Sequence, residues 1–532
     1  MKNVAIVNPW QAPSYEELLY ERRFYPDMKG RIWREPLVTG QILHQNNWEV
    51  DYLPFSELKV SPLLDSPSVW KFFHDILREL ESDILMVSPV YNMASSYYSS
   101  SLRIARAFKE THPYGKTIFT GFHVSAIPEI CLQDEAIDVI ALYDAPLIPS
   151  IVVPLVETLH RNESLRHVDG IYYRENGTVR SNPPSCPIAD HSKLPPPKYD
   201  LLAPYFSQIG WSALKNRVPL TLRTSYGCPN SCAYCYFNPD EWRGMRTIPP
   251  ENFRVELKYL FDQFDKEKLA FPMCGDELFI SNDSHFNGIC DVLKEMDVKF
   301  IEAVMERAVT FSKQRAEKIA EVSNGVFFGI ETTFEKELAA VKRNQNFPSY
   351  LKGLSNAREA GLDVYISWLC GLPEQTPEST ARDFLVMVEL YRKGLMSCAI
   401  PCMLIPFPWC DTYRHPSKYG MTIVDSNWDH YSEMCWYPVY YTKTFTRSQI
   451  WTSFIFMELV GRTLARKARN ISPFEGAQEE LIREMEALLE HPDRMQLITL
   501  FQEMGRITQE EMNIYGPLDD SLPDRLLHNR GM

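Results

Sequence analysis

The chain has 532 residues, 45% of them hydrophobic and 12% aromatic, and a net charge of −14 at pH 7. It is long enough for two or three domains with separate cores, at ~100–200 residues each. The acidic balance argues against a sequence-independent grip on nucleic acid or anionic lipid, since both need basic stripes.

The first residues read as a strand, VAIVNP, rather than as a charged-then-apolar export signal. The most apolar stretch, Ile450–Val460, contains Thr, Ser and Glu and falls short of the ~18 apolar residues of a membrane span. The expectation is a cytoplasmic protein without a membrane span. Strands are expected at Val4–Val7, Val50–Leu53, Ile84–Ser88, Thr117–Thr120 and Val139–Leu142. Each is aliphatic or β-branched, and amphipathic stretches such as Ser100–Glu110 separate them. That rhythm predicts an α/β domain over 1–165 with a doubly wound parallel sheet, whose ligands sit at the carboxyl ends of the strands.

Residues 166–215 read as a proline-rich linker with a small hairpin turning at Asn176–Gly177. A second alternating block, 216–440, has strands expected at Leu220–Thr224, Leu269–Met273, Lys299–Val304, Val326–Ile330, Val364–Trp368 and Ala399–Ile405. Six β/α repeats predict a partial parallel barrel with its active site at the C-terminal strand ends. Residues 441–532 read as a helical C-terminal region, for example Gln478–Leu489, without a chemical motif.

Of twelve cysteines, three fall within eight residues. The run T-S-Y-G-C-P-N-S-C-A-Y-C-Y-F places Cys228, Cys232 and Cys235 just after a strand with spacing C-x3-C-x2-C. Such a loop can wrap three corners of a [4Fe–4S] cubane and leave one iron open. The alternative is a zinc knuckle, which wants a fourth Cys or His nearby, and none follows.

With aromatic Tyr234 before the last cysteine, the motif resembles the radical S-adenosylmethionine (SAM) signature. The resemblance implies a [4Fe–4S] cluster whose open iron chelates SAM. It also implies an external one-electron reductant such as flavodoxin or ferredoxin, and cleavage to a 5′-deoxyadenosyl radical that abstracts a substrate hydrogen. Gly275-Asp276-Glu277 resembles the segment that receives the SAM amino group, and Gly329-Ile330-Glu331 the segment whose Glu meets the ribose or amino acid portion. Arg307 is a candidate for the SAM carboxylate. Val364–Thr376 and Leu404–Tyr413 resemble the family's fifth and sixth strand ends, with departures at Glu374, Gln375, Trp409 and Cys410 that lie at the barrel mouth.

Residues 1–165 resemble the cobalamin-binding-type domain that precedes many radical SAM barrels, with Ser88 and Gly121–Ser125 as landmarks. Phe122 stands where the family has a second Gly, and Tyr143-Asp144-Ala145-Pro146 replaces G-E-G-E, which leaves cobalamin binding open. His123 reads as a core histidine rather than a cobalt ligand. Cys370, Cys402 and Cys410 are candidate hydrogen donors near the barrel mouth. A thiol there, with a degraded corrin site, resembles the epimerases that convert L- to D-residues in proteusin-type ribosomal peptides. The alternatives are a cobalamin-dependent C-methyltransferase on a peptide or small metabolite, a deoxygenating or cyclising enzyme, and a non-catalytic iron–sulfur carrier.

Overall fold

The computed structural model describes residues 2–9, 32–55, 67–88, 95, 97–185, 188–205, 217–236, 244–343, 345–431, 438–451, 453–454 and 456–457. Its first sheet is built from β1 (Asn3–Val7), β2 (Glu49–Leu53), β3 (Ile84–Val87), β4 (Lys116–Phe119) and β5 (Val139–Ala141), all parallel, in the order β2-β1-β3-β4-β5. β3 and β5 are wholly buried, as continuous aliphatic runs should be when helices cover both faces. Among those helices are α1 (Arg34–Gln45), α2 (Pro67–Arg78) and α3 (Tyr97–Thr111). This strand order puts the topological switch point, where such sheets take ligands, between β1 and β3.

The hairpin β6 (Ile171–Glu175) and β7 (Thr178–Asn182) extends the same sheet, with β6 antiparallel to β5. Asn176 and Gly177 both have positive φ, 51° and 75°, as a two-residue hairpin turn requires. A segment expected inside a linker is thus an edge of the sheet. The sequence shows the turn but not its partner, because β5 gives no sign of an open antiparallel edge.

The second unit is a run of six parallel strands: β8 (Val218–Pro219), β9 (Leu269–Ala270), β10 (Val304–Glu306), β11 (Gly325–Glu331), β12 (Asp363–Cys370) and β13 (Cys398–Met403). A parallel bridge from Met273 to Ala303 joins the first pair to the other four. The third strand was expected at 299–304, yet its regular ladder covers only 304–306, with isolated bridges at Phe300 and Ala303. Pro272 on the neighbouring segment has no N–H to donate, so a continuous ladder cannot form there.

Side chains alternate across β12. Val364, Ile366, Trp368 and Cys370 are fully buried. On the other face, Tyr365 packs with Phe327, Cys398, Ile400 and Cys402 in a small cluster of its own, which is the barrel lumen.

The two units are joined by buried charge. Ile32 bridges to Leu220, which delivers the start of α1 to the barrel's first strand. Arg34 then donates to Glu256 through Nε (2.9 Å to Oε2) and Nη2 (2.9 Å), both side chains being 2% exposed. Its neighbour Glu35 lies 3.1 Å from Arg223. Residues 458–532, including the expected helix Gln478–Leu489, lie outside the described residues.

Arg34→Met should destabilise the protein by ~3–5 kcal/mol, because it leaves Glu256 buried without a counter-charge. Adding Glu256→Leu should recover much of that loss. Thermal melts of the two variants check this, and equal melting temperatures for the single variant and the wild type would contradict it.

Candidate cluster and cofactor site

The chain leaves the barrel's first strand through a short strand, Ser225–Tyr226, that pairs antiparallel with Arg246–Thr247. Gly227 follows with φ +86°, and a Cβ there would lie 2.2 Å from the Gly244 carbonyl oxygen, so only glycine turns this corner. Cys228, Cys232 and Cys235 follow on the loop; Cys232 is buried and the other two are half-buried. The Cys235 amide closes a turn on the Cys232 carbonyl at 3.0 Å. Ala233 anchors the loop at both backbone atoms, donating to Val341 O (2.9 Å) and accepting from Thr412 N (3.2 Å).

Among the described residues no three His, Cys, Asp or Glu side chains converge on a single metal ion. A cubane asks for something different, since each thiolate takes its own iron. The loop offers three thiols on one short, braced segment.

Two of the sulfurs meet N–H donors. Asn230 Nδ2 lies 3.1 Å from Cys228 Sγ, and Arg307 donates to the Oδ1 of the same amide. Arg343 Nη1 lies 3.7 Å from Cys232 Sγ. Arg343 also donates to Tyr234 Oη at 2.9 Å and pairs with Glu331 Oε1 at 3.3 Å.

Glu331 is the hub on the barrel side. A register shift between Gly329 and Glu331 interrupts the β11–β12 ladder, and Glu331 sits at φ +70°. A non-glycine residue held there costs on the order of 1 kcal/mol, a strain that clusters at functional sites. Its carboxylate accepts from Ser367 Oγ (2.7 Å) and Tyr234 Oη (3.2 Å).

Gly275, Asp276 and Glu277 follow β9. A Cβ on Gly275 would meet Thr221 and Arg223 inside 3 Å, so the two strand ends touch there. Asp276 is fully buried and accepts from Thr224 N (2.7 Å), Ser225 Oγ (3.0 Å) and Thr224 Oγ1. Glu277 accepts from Arg223 (2.8 Å) and from Gly227 N (2.8 Å). Asp276 thus ties down the end of the first barrel strand, and Glu277 the glycine that opens the cysteine loop.

The three candidate thiols separate. Cys370 lies on the outer face of β12, fully buried, with Sγ 3.1 Å from Met457 Sδ. A hydrogen donor must face the lumen, and Cys370 packs on the opposite face of β12. Cys410 is also fully buried and donates to Tyr234 O at 2.9 Å, which braces the cluster loop; burial pushes its thiol pKa well up. Cys402, half-buried in the Phe327–Tyr365 cluster, is the member of the three on the lumen face.

Where the first sheet meets this loop, the contact is aromatic. Phe122 stacks on Tyr143 (4.0 Å, 24°) and meets Tyr236, next to Cys235, edge-on at 4.6 Å; Trp409 follows at 6.2 Å. Phe122, one of the departures from the cobalamin-type motif, thus touches the residue that follows the last motif cysteine. These rings pack directly on one another where β4 and β5 end. His123 packs between Tyr98 (4.6 Å) and Trp428 (4.7 Å), and its Nδ1 is 2.8 Å from Ser95 Oγ. Burial lowers its pKa to about 3, so it is a neutral core histidine at pH 7.

The sequence profile of the Radical SAM superfamily matches residues 222–385, the stretch that holds the cysteine loop, Glu331 and Arg343. Residues 222–385 are thus a radical SAM domain. Its cofactors are therefore a [4Fe–4S] cluster and SAM, and its chemistry requires a reductant and a substrate.

An uncharacterised methyltransferase of Pyrococcus horikoshii is 24% identical over 378 residues, covering 70% of this chain and 77% of its own. Two solved structures share the fold over nearly the whole length. One is the radical SAM methyltransferase TsrM from Kitasatospora setae, solved with tryptophan substrate and a SAM analogue (TM-score 0.60, 12% identity, 92% of this chain and 99% of that one). The other is the cobalamin-dependent SAM radical enzyme OxsB (TM-score 0.62, 15% identity, 99% of this chain and 82% of that one). No helix among the described residues of this radical SAM protein is long and apolar enough to cross a membrane.

Sequence reasoning missed Arg343, Ser367 and Asn230. Asn230 stands inside the cysteine motif and was open to notice as a donor beside a thiolate. Arg343 follows a short helix and has no pattern to mark it.

Gly227→Ala should fold, because the clash is confined to the loop, but should lose most of its iron on anaerobic reconstitution. Iron and labile-sulfide assays beside a thermal melt check this; wild-type iron content would show that the corner is not needed.

Proposed function

We propose that this radical SAM protein is a C-methyltransferase of the cobalamin-dependent type, acting on a peptide or small metabolite. The observation that carries the reading is that the first sheet packs directly on the cysteine loop, Phe122 after β4 meeting Tyr236 beside Cys235 at 4.6 Å. The full-length likeness to TsrM and OxsB and the relatedness to a methyltransferase support it.

In this reading Cys228, Cys232 and Cys235 hold three irons of the cluster. Glu331, set by Ser367 and Tyr234, orients the ribose or amino acid portion of SAM, and Arg307 faces its carboxylate side. The backbone around Gly275, rather than the Asp276 and Glu277 side chains, borders the amino group. When bound, cluster and SAM supply a 5′-deoxyadenosyl radical by one-electron cleavage. Cobalamin, when bound, would supply a transferable methyl group, and the β1/β3 switch point near Asn8 and Ser88 would hold it, as in other open parallel sheets. The packed rings of Phe122, Tyr143, Tyr236 and Trp409 exclude water from the space beside the cluster loop.

Epimerisation needs a thiol opposite the radical. Cys402 alone among the three candidates faces the lumen, so that second reading rests on it.

The test is anaerobic turnover of reconstituted protein with candidate peptides and small metabolites in deuterated water, followed by mass spectrometry and corrin extraction. Methyl transfer adds the mass of one CH2, is lost in Cys228→Ala and persists in Cys370→Ala. Gain of one deuterium at Cα without added carbon, lost in Cys402→Ala, would replace this reading with epimerisation. Turnover by corrin-free protein would remove the cobalamin dependence.

A further inference from the structure

Two of the three candidate ligand sulfurs accept an N–H from a side chain that is itself, or is held by, an arginine. Arg343 reaches Cys232 Sγ directly at 3.7 Å. Asn230 reaches Cys228 Sγ at 3.1 Å, its amide oxygen engaged by Arg307, which fixes which end of the amide faces the sulfur. The Arg343 side chain is 11% exposed. Its approach depends on Gly329, where a Cβ would lie 2.8 Å from Arg343 Nη2 and 2.6 Å from Glu331 Oε1. The fork is spent on Cys232, Tyr234, Glu331 and the Gly329 carbonyl together.

We propose that Arg343 and the Arg307–Asn230 pair set the reduction potential of the cluster, making it easier to reduce. The inference rests on the reading that Cys228 and Cys232 are cluster ligands. One-electron reduction makes no bond and breaks none; an electron from the external reductant adds one negative charge, shared by the sulfurs. N–H donors and positive charge at those sulfurs stabilise the reduced state more than the oxidised one, and hydrogen bonding and net charge are what set cluster potentials. Screening is weak around buried groups, so nearby guanidinium groups act strongly. The protein as a whole is at −14, a field that opposes adding an electron; the two arginines offset it locally.

Arg343 and Asn230 are positioning residues in this account, and a purely structural role would alter melting or iron content without altering potential. The experiment is an EPR-monitored redox titration of the reconstituted full chain without SAM, comparing wild type, Arg343→Met, Arg343→Lys and Asn230→Ala. Arg343→Met should lower the reduced-to-oxidised ratio at fixed potential about tenfold, or about 59 mV for a one-electron couple. Arg343→Lys, which keeps the charge but not the fork, should fall between, and Asn230→Ala should shift the same way by less. If Arg343→Met assembles no cluster, Asn230→Ala and Arg343→Lys carry the test. Midpoints equal to wild type in the variants that load full iron overturn the proposal. Failure of the wild type itself to assemble a cluster would instead overturn the ligand reading.

Discussion

A single carboxylate links the two halves of this molecule to its chemistry. Glu277 accepts from the amide of Gly227, the residue before the first motif cysteine, and from Arg223, which in turn lies against Glu35 at the start of α1. All four residues sit in a dry interior, where burial pushes both glutamates above the usual carboxylate range and Arg223 opposes that push. Buried ion networks of this kind add little net stability against an apolar packing of equal volume, but they are costly to break one partner at a time. Here the network fixes the direction of the cluster loop. The first sheet is therefore part of how the barrel holds its site rather than an appended module.

The same economy governs the strand ends around it. Asp276 ties the end of the first barrel strand to the second, Cys410 ties the loop backbone to the sixth, and Glu331 gathers Tyr234, Ser367 and Arg343 from three separate segments. Acidic groups that a motif reading assigns to a ligand can be occupied by the loop's own amides and hydroxyls. On the opposite side the seam is aromatic, so the sheet edge meets the cluster loop through packed rings and closes it from water without charge.

The parallel sheets were legible because their strands are aliphatic runs buried on both faces, and the cysteine loop because short spacings near a strand end admit few other uses. Less visible was which side of a strand a residue occupies when both sides are apolar. Cys370 and Cys402 look alike in sequence, yet Cys370 packs outward on Met457 and Cys402 inward on Tyr365. Period-two alternation decides this only when one face is polar. The third barrel strand shifted because a proline on its neighbour removed a donor, a constraint from a residue about thirty positions away. Arg343 was hidden for the same reason: its role comes from convergence in space on Glu331 and Cys232, not from local pattern. The departures at Phe122 and Tyr143 were visible from the start, but their consequence, stacked rings where β4 and β5 end with Phe122 touching Tyr236, needed the fold.

The central claim is that three thiolates on the Gly227-anchored loop leave one cluster iron open to SAM. Mössbauer and EPR spectra of anaerobically reconstituted protein, taken before and after adding SAM, test it most directly. The account predicts one cubane per chain, with one iron site shifting on SAM addition and no such cubane in the Cys228→Ala, Cys232→Ala and Cys235→Ala triple variant. A cluster whose spectra ignore SAM, or one that persists without those three cysteines, would contradict it.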